Sequence, residues 1–179
     1  MSWHTMMDFE PPLVGCVVSN RNFTFNILKA TKECVINIPT VEMAPKVVGC
    51  GNTSGRDVDK FKVFRVTQAA ASQVNAPLIE ECYANLECRV VDTRMVAKYN
   101  LFVLEVIQAW IDPSRKHPRT IHHVEQGVFL VAGKKLKLPS KMKDDSVRLR
   151  NAANHFRGFL LVANPERDVS LGNHTDNST

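Results

Sequence analysis

Hydrophobic and polar positions follow strand-like and helix-like patterns in turn over the first third of the chain. The predicted elements are strands at residues 13–19 and 33–38 and helices at residues 24–31 and 41–50. The first strand is an apolar run after a double proline, and Thr24 is the predicted N-cap of the first helix. Pro45 must lie in the first turn of the second helix. The glycines that follow it, Gly49, Gly51 and Gly55, predict a loop.

The second half of the chain predicts mostly strands. The predicted strands cover residues 83–96, 100–111 and 128–138, and a loop rich in proline and charge covers residues 112–120. Apolar and polar residues alternate clearly in the first of these strands, at Leu86, Cys88 and Val90. Several strands with two or three short helices favour a closed barrel with helical decorations over a parallel sheet. The fold class is therefore predicted to be mainly β.

The chain changes character near residue 140. Residues 172–179 are rich in asparagine, serine and threonine, and only residues 156–163 include enough apolar side chains to pack. We therefore predict one folded domain at residues 1–139 and a largely mobile tail at residues 140–179.

Composition narrows the class of protein. The hydrophobic fraction of 44% is ordinary for a globular protein, and no apolar run approaches the length of a membrane span. No signal peptide is visible at the first residues. The five cysteines are scattered and form no Cys-x-x-Cys motif, which predicts reduced thiols and a cytoplasmic location. Cys82 and Cys88 are interpreted as small buried apolar residues.

The net charge of +5 suits an anionic ligand or a nucleic acid. Much of the excess lies in a lysine-rich stretch at residues 134–143, which is interpreted as a solvated strand edge. No aromatic residues are interleaved with these lysines, so no nucleic-acid partner is predicted.

The turn after the first predicted strand has the chemistry of an anion site. Ser19 ends the strand, Asn20 and Arg21 follow it in the turn, and Thr24 opens the next helix. A guanidinium, hydroxyl groups and a helix N-terminus are the groups that bind phosphate in proteins. Arg21 could also simply be solvated, and a threonine that caps the helix is compatible with phosphate binding.

Four segments taken in order resemble the flavin reductase-like, FMN-binding split-barrel family, close to its flavoredoxin branch. They are Ser2-Trp3 ahead of Phe9-Glu10-Pro11-Pro12, the turn Ser19-Asn20-Arg21 with Thr24, the segment Ser54-Gly55-Arg56-Asp57-Val58-Asp59-Lys60-Phe61, and the later order of Pro77, the strand at 86–91 and Tyr99-Asn100-Leu101-Phe102. The resemblance covers residues 1–138. It implies a dimeric, six-stranded Greek-key barrel with FMN in a groove at the subunit interface.

The resemblance also implies site residues. Trp3 matches a tryptophan beside the flavin ring. The ring also needs backbone donors at its rim, for which the backbones of Ser2 and Cys16 are candidates. Lys60 matches a lysine at the cofactor, whereas Tyr99 falls where some members have histidine. The complete set of predicted cofactor-binding residues is Ser2, Trp3, Ser19, Asn20, Arg21, Thr24, Cys50, Ser54, Gly55 and Lys60. Because the flavin performs the redox chemistry, no catalytic side chain and no metal are predicted.

Each of these residues also has a purely structural interpretation. Trp3 could belong to an ordinary core, and Asp59 with Lys60 could form a surface ion pair. Ser54 and Gly55 could simply form a turn. The histidines at 117, 122 and 123 form a loop cluster, but no Cys-x-x-Cys or Glu-x-x-His motif supports a zinc site there, although one of them could contact nucleotide or flavin.

Three functions remain open at this point. The first is hydride transfer between NADH or NADPH and flavin in a homodimer, and the second is an FMN electron carrier that a redox protein partner reduces. The third is a shortened barrel without flavin. It is motivated by a departure from the family, whose members have a further strand and an asparagine-containing segment before the Ser2-Trp3 position. The strand beside residues 13–19 is therefore expected to lie before Met1.

Overall fold

The computed structural model describes residues 3–136, 138 and 139. The strands are β1 His4–Phe9, β2 Pro12–Val17, β3 Glu33–Ile38, β4 Gln68–Ala69, β5 Leu78–Ile79, β6 Ala84–Asp92, β7 Leu101–Ile111, β8 Ile121–Glu125 and β9 Val128–Val131. The helices are α1 Phe23–Thr31, α2 Ala44–Asn52, α3 Lys60–Val63 and α4 Val96–Tyr99, with a 3-10 turn at Val41–Met43. The predicted tail at residues 140–179 lies outside the described residues.

One antiparallel sheet with the strand order β1-β2-β7-β6-β3 organises the described chain. The long strand β7 lies at its centre, and its side chains alternate between buried and half-buried positions over most of its length. Phe102 and Leu104 on this strand are almost completely buried. The mainly β fold class and the strands predicted near residues 13–19, 33–38, 83–96 and 100–111 are confirmed.

Helix α1 covers one face of this sheet. Its buried residues Phe25 and Leu28 are three positions apart and therefore lie on the same side of the helix. The Phe25 ring meets the Phe102 ring of β7 edge to face, with ring centroids 5.4 Å apart. The helix ends at Lys32, which adopts the left-handed conformation and donates its N–H to the Leu28 carbonyl. The chain can then return directly into β3.

The position in the sequence of the strand beside β2 differs from the prediction. β1, formed by His4–Phe9, pairs with β2, so this neighbour lies after Met1 and not before it. Sequence reasoning missed β1 because its residues show no clean alternation. All six of them are exposed.

The loop predicted at Gly49 and Gly51 is also wrong. Both glycines lie inside α2, which runs to Asn52. At Gly49, an added Cβ would lie 2.3 Å from the Phe64 ring, so glycine allows this close packing. No such neighbour lies near Gly51. Neither glycine breaks the helix, and Gly49 instead allows the contact between the helix and the Phe64 ring.

The last strands form a separate hairpin, and the strand predicted at residues 128–138 is shorter than expected. β8 and β9 pair with each other, and β8 was not predicted. A bridge between Thr40 and Thr120 attaches this hairpin to the chain that follows β3. The rings of His4 on β1 and His122 on β8 lie 5.5 Å apart, which brings the hairpin back beside the first strand.

A buried carboxylate fixes the loop between α3 and β6. The Glu87 side chain is fully buried on β6. It accepts hydrogen bonds from the Ser72 amide and hydroxyl, from the Gln73 and Val74 amides, and from the Trp110 indole at 2.7 Å. Burial opposes ionisation of Glu87, but the bonds from Ser72, Trp110 and Gln73 outweigh it and hold the pKa of this carboxyl below its usual value.

We expect Glu87→Gln to lower the free energy of unfolding by about 2–3 kcal/mol near neutral pH, because charged acceptors make the stronger hydrogen bonds. The folded pKa is depressed, so this stability is present above the unfolded pKa of about 4.3 and is lost as the pH falls through the folded value. Denaturant unfolding at several pH values should therefore show that the difference in unfolding free energy between wild type and Glu87→Gln becomes smaller in acid.

The matched control is Glu80→Gln, because Glu80 is exposed and its side chain has no hydrogen bond or ion pair among the described residues. It should change the unfolding free energy by less than about 0.5 kcal/mol. Equal effects of the two substitutions would contradict the assigned role of Glu87.

Candidate functional site

A groove of about 910 Å³ lies between the end of β2, the start of α1 and the segment from α2 to α3. This volume is at the upper end of the range for small-molecule sites. Eight of the ten predicted cofactor-binding residues line it: Trp3, Ser19, Arg21, Thr24, Cys50, Ser54, Gly55 and Lys60. Three segments that are distant in sequence therefore meet where the sequence analysis places the site.

Two predicted residues do not belong to this lining. Asn20 is exposed in the turn before α1 and does not line the groove. Ser2 lies outside the described residues.

The turn after β2 forms the first wall of the groove. The Val18 amide donates to the Asn100 carbonyl at 3.0 Å, which ties the end of this strand to the start of β7. The Ser19 hydroxyl accepts from the Arg21 amide at 3.3 Å. The Asn22 amide donates to the Ser19 carbonyl at 2.9 Å, and helix α1 begins at the next residue.

The predicted N-cap of this helix is wrong. Asn22 is the N-cap, and Thr24 lies inside the first turn. Asn22 adopts an extended backbone there, but its side chain makes no capping hydrogen bond. Because the first N–H groups of a helix have no partner within it, this end of α1 presents donors and partial positive charge to the groove.

Arg21 adds a full positive charge to the same wall. The side chain is exposed. Within residues 3–136 its guanidinium makes no hydrogen bond or ion pair, so its five donors are available to a ligand.

The second wall carries Lys60. Its ammonium donates to the Cys50 carbonyl at the end of α2, with an N–O distance of 2.5 Å. Asp59 does not pair with Lys60. Its carboxylate caps α3 by accepting from the Phe61 and Lys62 amides, and it forms an ion pair with Lys62. The alternative of an Asp59–Lys60 surface ion pair is therefore wrong.

Ser54 and Gly55 form a turn that also lines this wall. The Ser54 hydroxyl accepts from the Arg56 amide at 3.1 Å, and the Arg56 guanidinium lies over the Phe23 ring, 5.4 Å from its centroid. An added Cβ at Gly55 would lie 3.7 Å from the Phe23 ring, in ordinary contact. The turn thus closes against the start of α1, so its structural and lining roles coexist.

Trp3 lies at the mouth of the groove. Its side chain is 71% exposed, so it does not belong to an ordinary core. The Val17 amide donates to the Trp3 carbonyl at 2.9 Å, which holds the backbone of Trp3 beside β2. A large exposed aromatic ring is therefore available next to the basic walls.

Several lining residues were not predicted. They include Asn22, Phe23, Cys34, Asn52, Thr53 and Asn100. Asn22 carried a recognisable signal, because asparagine is a preferred N-cap residue. Cys34 carried none, because its place on the groove depends on how β3 packs. Tyr99, at a position where some family members have histidine, is exposed and does not line the groove.

Burial and charge act in opposite directions on the Cys50 thiol. Burial raises its pKa, and the nearby Lys60 ammonium opposes this effect without cancelling it. A smaller fraction of Cys50 is therefore in the nucleophilic thiolate form at neutral pH than for an exposed cysteine, despite its place in the lining.

Two other classes of site find no support in the described residues. No group of three or more histidine, cysteine, aspartate or glutamate side chains within residues 3–136 could hold a metal ion. Among the helices described here, none is long and apolar enough to cross a membrane.

The comparisons with known proteins identify the family. A model of the flavin reductase-like domain matches residues 1–131. The chain therefore belongs to the flavin reductase-like family, as the resemblance in the sequence indicated. An uncharacterized protein of Archaeoglobus fulgidus is 33% identical over 105 residues, which are 59% of this chain and 59% of that protein. The match therefore spans less than two thirds of that relative.

Solved structures share the fold. The FMN-binding domain of a flavin reductases-like enzyme from Shewanella baltica superposes with a TM-score of 0.71 and 25% identity, over 76% of this chain and 79% of that one. Flavoredoxin of Desulfovibrio vulgaris superposes with a TM-score of 0.69 and 18% identity, over 80% of this chain and 81% of that one. The split-barrel fold predicted from the sequence is confirmed.

Proposed function

We propose that this protein binds FMN in the groove and transfers hydride between NADH or NADPH and the flavin. The observation that carries the proposal is the convergence of two cations, an uncapped helix N-terminus and an exposed tryptophan on one groove of about 910 Å³. The family and the FMN-binding domain from Shewanella baltica support the choice of flavin over other anionic ligands.

The wall at Arg21 suits the phosphate of FMN. The guanidinium has no competing acidic partner among the described residues and can bind two phosphate oxygens at once. The first turn of α1, with the Thr24 hydroxyl, adds neutral donors beside it. The site is thus set up for a dianion before any ligand arrives.

Lys60 and Trp3 suit the remainder of the cofactor. Lys60 is held against the Cys50 carbonyl, so its charge has a defined position in the groove. A positive charge near a flavin ring favours the reduced ring, which becomes negative. The exposed indole of Trp3 offers an apolar surface that a planar ring can cover.

The bound flavin would supply the hydride-accepting atom of the reaction. The chain contributes binding, orientation and shielding from water, and the proposed reaction requires no acidic or basic side chain. Cys50 fits this division of roles, because its raised pKa keeps it a neutral thiol.

An electron carrier without nicotinamide activity is the second candidate function. The flavoredoxin from Desulfovibrio vulgaris, which shares the fold, favours it. In that case a redox protein would reduce the bound FMN. The third possibility, a barrel that no longer binds flavin, is weakened by the paired neighbours of β2 on both sides and by the formed groove.

We further propose that a second copy of the chain covers β1. Met6 pairs with Val14 across β1 and β2, so both side chains point to the same face of the sheet. Val14 is only 3% exposed, whereas Met6 is 62% exposed. The core-facing side of the sheet therefore ends in an uncovered apolar edge, to which Phe9, the register partner of Pro12, also contributes. In a homodimer this edge would lie beside the groove.

A cytoplasmic location stays a prediction.

The first prediction from the proposed function concerns the affinity for FMN. We expect Arg21→Gln to raise the dissociation constant for FMN about 10- to 100-fold, because it removes a charge-assisted, two-pronged contact. Fluorescence quenching of added FMN measures this constant. The control is Arg119→Gln, an exposed arginine that does not line the groove and should leave the constant within about twofold. Equal constants for all three proteins would contradict the phosphate assignment.

The second prediction separates the two redox functions. The FMN-loaded protein should lose its flavin absorbance when NADH or NADPH is added without oxygen. The rate should depend on nucleotide concentration. An FMN-loaded protein that only dithionite or a reduced partner protein bleaches would establish the electron carrier instead.

The third prediction concerns assembly. Light scattering after gel filtration should give twice the mass of one chain for the wild type, and Met6→Glu should shift the protein towards the monomer because it places a charge in the apolar edge. Met95→Glu is the control, since Met95 is also an exposed methionine but lies in the turn before α4. A monomeric wild type would contradict the proposed homodimer.

A further inference from the structure

We propose that Cys34 and Cys88 form a reversible dithiol–disulfide site that opens into the groove and takes a small-molecule disulfide as its oxidant. The proposal does not depend on FMN binding. It rests on strand register and on the different exposure of the two thiols.

The register of β3 and β6 places the two cysteines directly opposite each other. Cys34 is the Cα partner of Cys88 in this antiparallel pair, so the two side chains lie on the same face of the sheet. Cα atoms of such partners are about 4.5–5.5 Å apart. This separation lies within the range of about 4.4–6.8 Å that disulfides occupy. The Cys88 thiol donates to the Leu86 carbonyl of its own strand at 3.4 Å.

The two thiols differ in access. Cys34 is half-buried and lines the groove, whereas Cys88 is fully buried behind it. The interaction with Cys88 lowers the pKa of Cys34, and the same interaction together with burial raises the pKa of Cys88. The thiolate thus forms on the accessible sulfur, and the protected sulfur stays a thiol. This division is what an attacking cysteine and a resolving cysteine require.

The reaction is a thiol–disulfide exchange in two steps. The Cys34 thiolate attacks one sulfur of the oxidant, which breaks the sulfur–sulfur bond of the oxidant, forms a mixed disulfide and releases one thiolate. Cys88 then loses its proton and attacks the Cys34 sulfur, which forms the Cys34–Cys88 bond and releases the second thiolate. The protein loses two electrons and two protons, and the oxidant becomes two thiols.

The other cysteines are poorer partners. Cys16 lies near the pair, but burial raises its pKa to about 12 and its partner in β7 is Phe102. Burial likewise raises the pKa of Cys82 to about 11, and its thiol contacts the Met43 sulfur at 3.7 Å. Cys50 lies on α2, outside the β3–β6 pair. Strand register therefore selects one pair from five thiols.

The test uses the full chain without added flavin, so that its outcome is separate from that of the FMN proposal. The native protein is incubated with excess oxidised glutathione, quenched with acid, and its remaining thiols are labelled with a maleimide. Intact mass should show three labels in place of the five in the untreated protein. Peptide mapping should join Cys34 to Cys88, and dithiothreitol should restore both missing labels.

Variants assign the two roles. Cys88→Ser should stop at a glutathione adduct on Cys34, and Cys34→Ser should form neither adduct nor internal bond. Cys82→Ser, which also removes a buried thiol, should form the Cys34–Cys88 bond as the wild type does. Five persisting labels in the native protein, or a bond that maps to Cys16 or Cys50, would overturn the proposal. Mapping of the wild type decides the question even if a variant does not fold.

Discussion

The contact between Phe25 and Phe102 determines where the groove lies. Phe102 is fully buried at the centre of the sheet, and the ring of Phe25 meets it edge to face. An aromatic pair of this geometry adds about 0.5–1.5 kcal/mol beyond the burial of its area. Because Phe25 lies in the first turns of α1, fixing its ring also fixes the N-terminus of the helix. The turn that carries Arg21 is held between this helix and the end of β2.

The other side of the domain is fixed by a different kind of interaction. Glu87 gathers the amides of the loop at residues 72–74 onto β6, and the Trp110 indole completes its set of donors. The next residue, Cys88, faces the opposite side of the strand. One strand therefore carries a buried charge on one face and a buried thiol on the other. Its backbone position is constrained by hydrogen bonds on one face and by core packing on the other.

Much of the fold could be predicted because the central strands have recognisable hydrophobic patterns in the sequence. The strand predicted at residues 33–38 has the same bounds as β3, since Glu33–Ile38 is a short segment rich in β-branched residues that Pro39 ends. The site followed from residue types and from the family resemblance. β1 could not be predicted, because its apolar residues are exposed and no internal core enforces alternation. Gly49 was misread because the close approach of Phe64, 15 positions later in the sequence, is a tertiary contact.

Cys34 shows why rules based on the spacing of cysteines in the sequence miss some thiol pairs. Cys-x-x-Cys motifs bring two thiols together through local backbone geometry, and none is present here. An antiparallel pair brings together residues at any separation, and Cys34 and Cys88, which are 54 positions apart, carry no local signal. The groove then sets one thiol of the pair beside a phosphate-type anion site. A ligand that fills the groove would cover Cys34, so occupancy and thiol chemistry would compete for the same surface. The two proposed activities are thus coupled through access, even though neither requires the other.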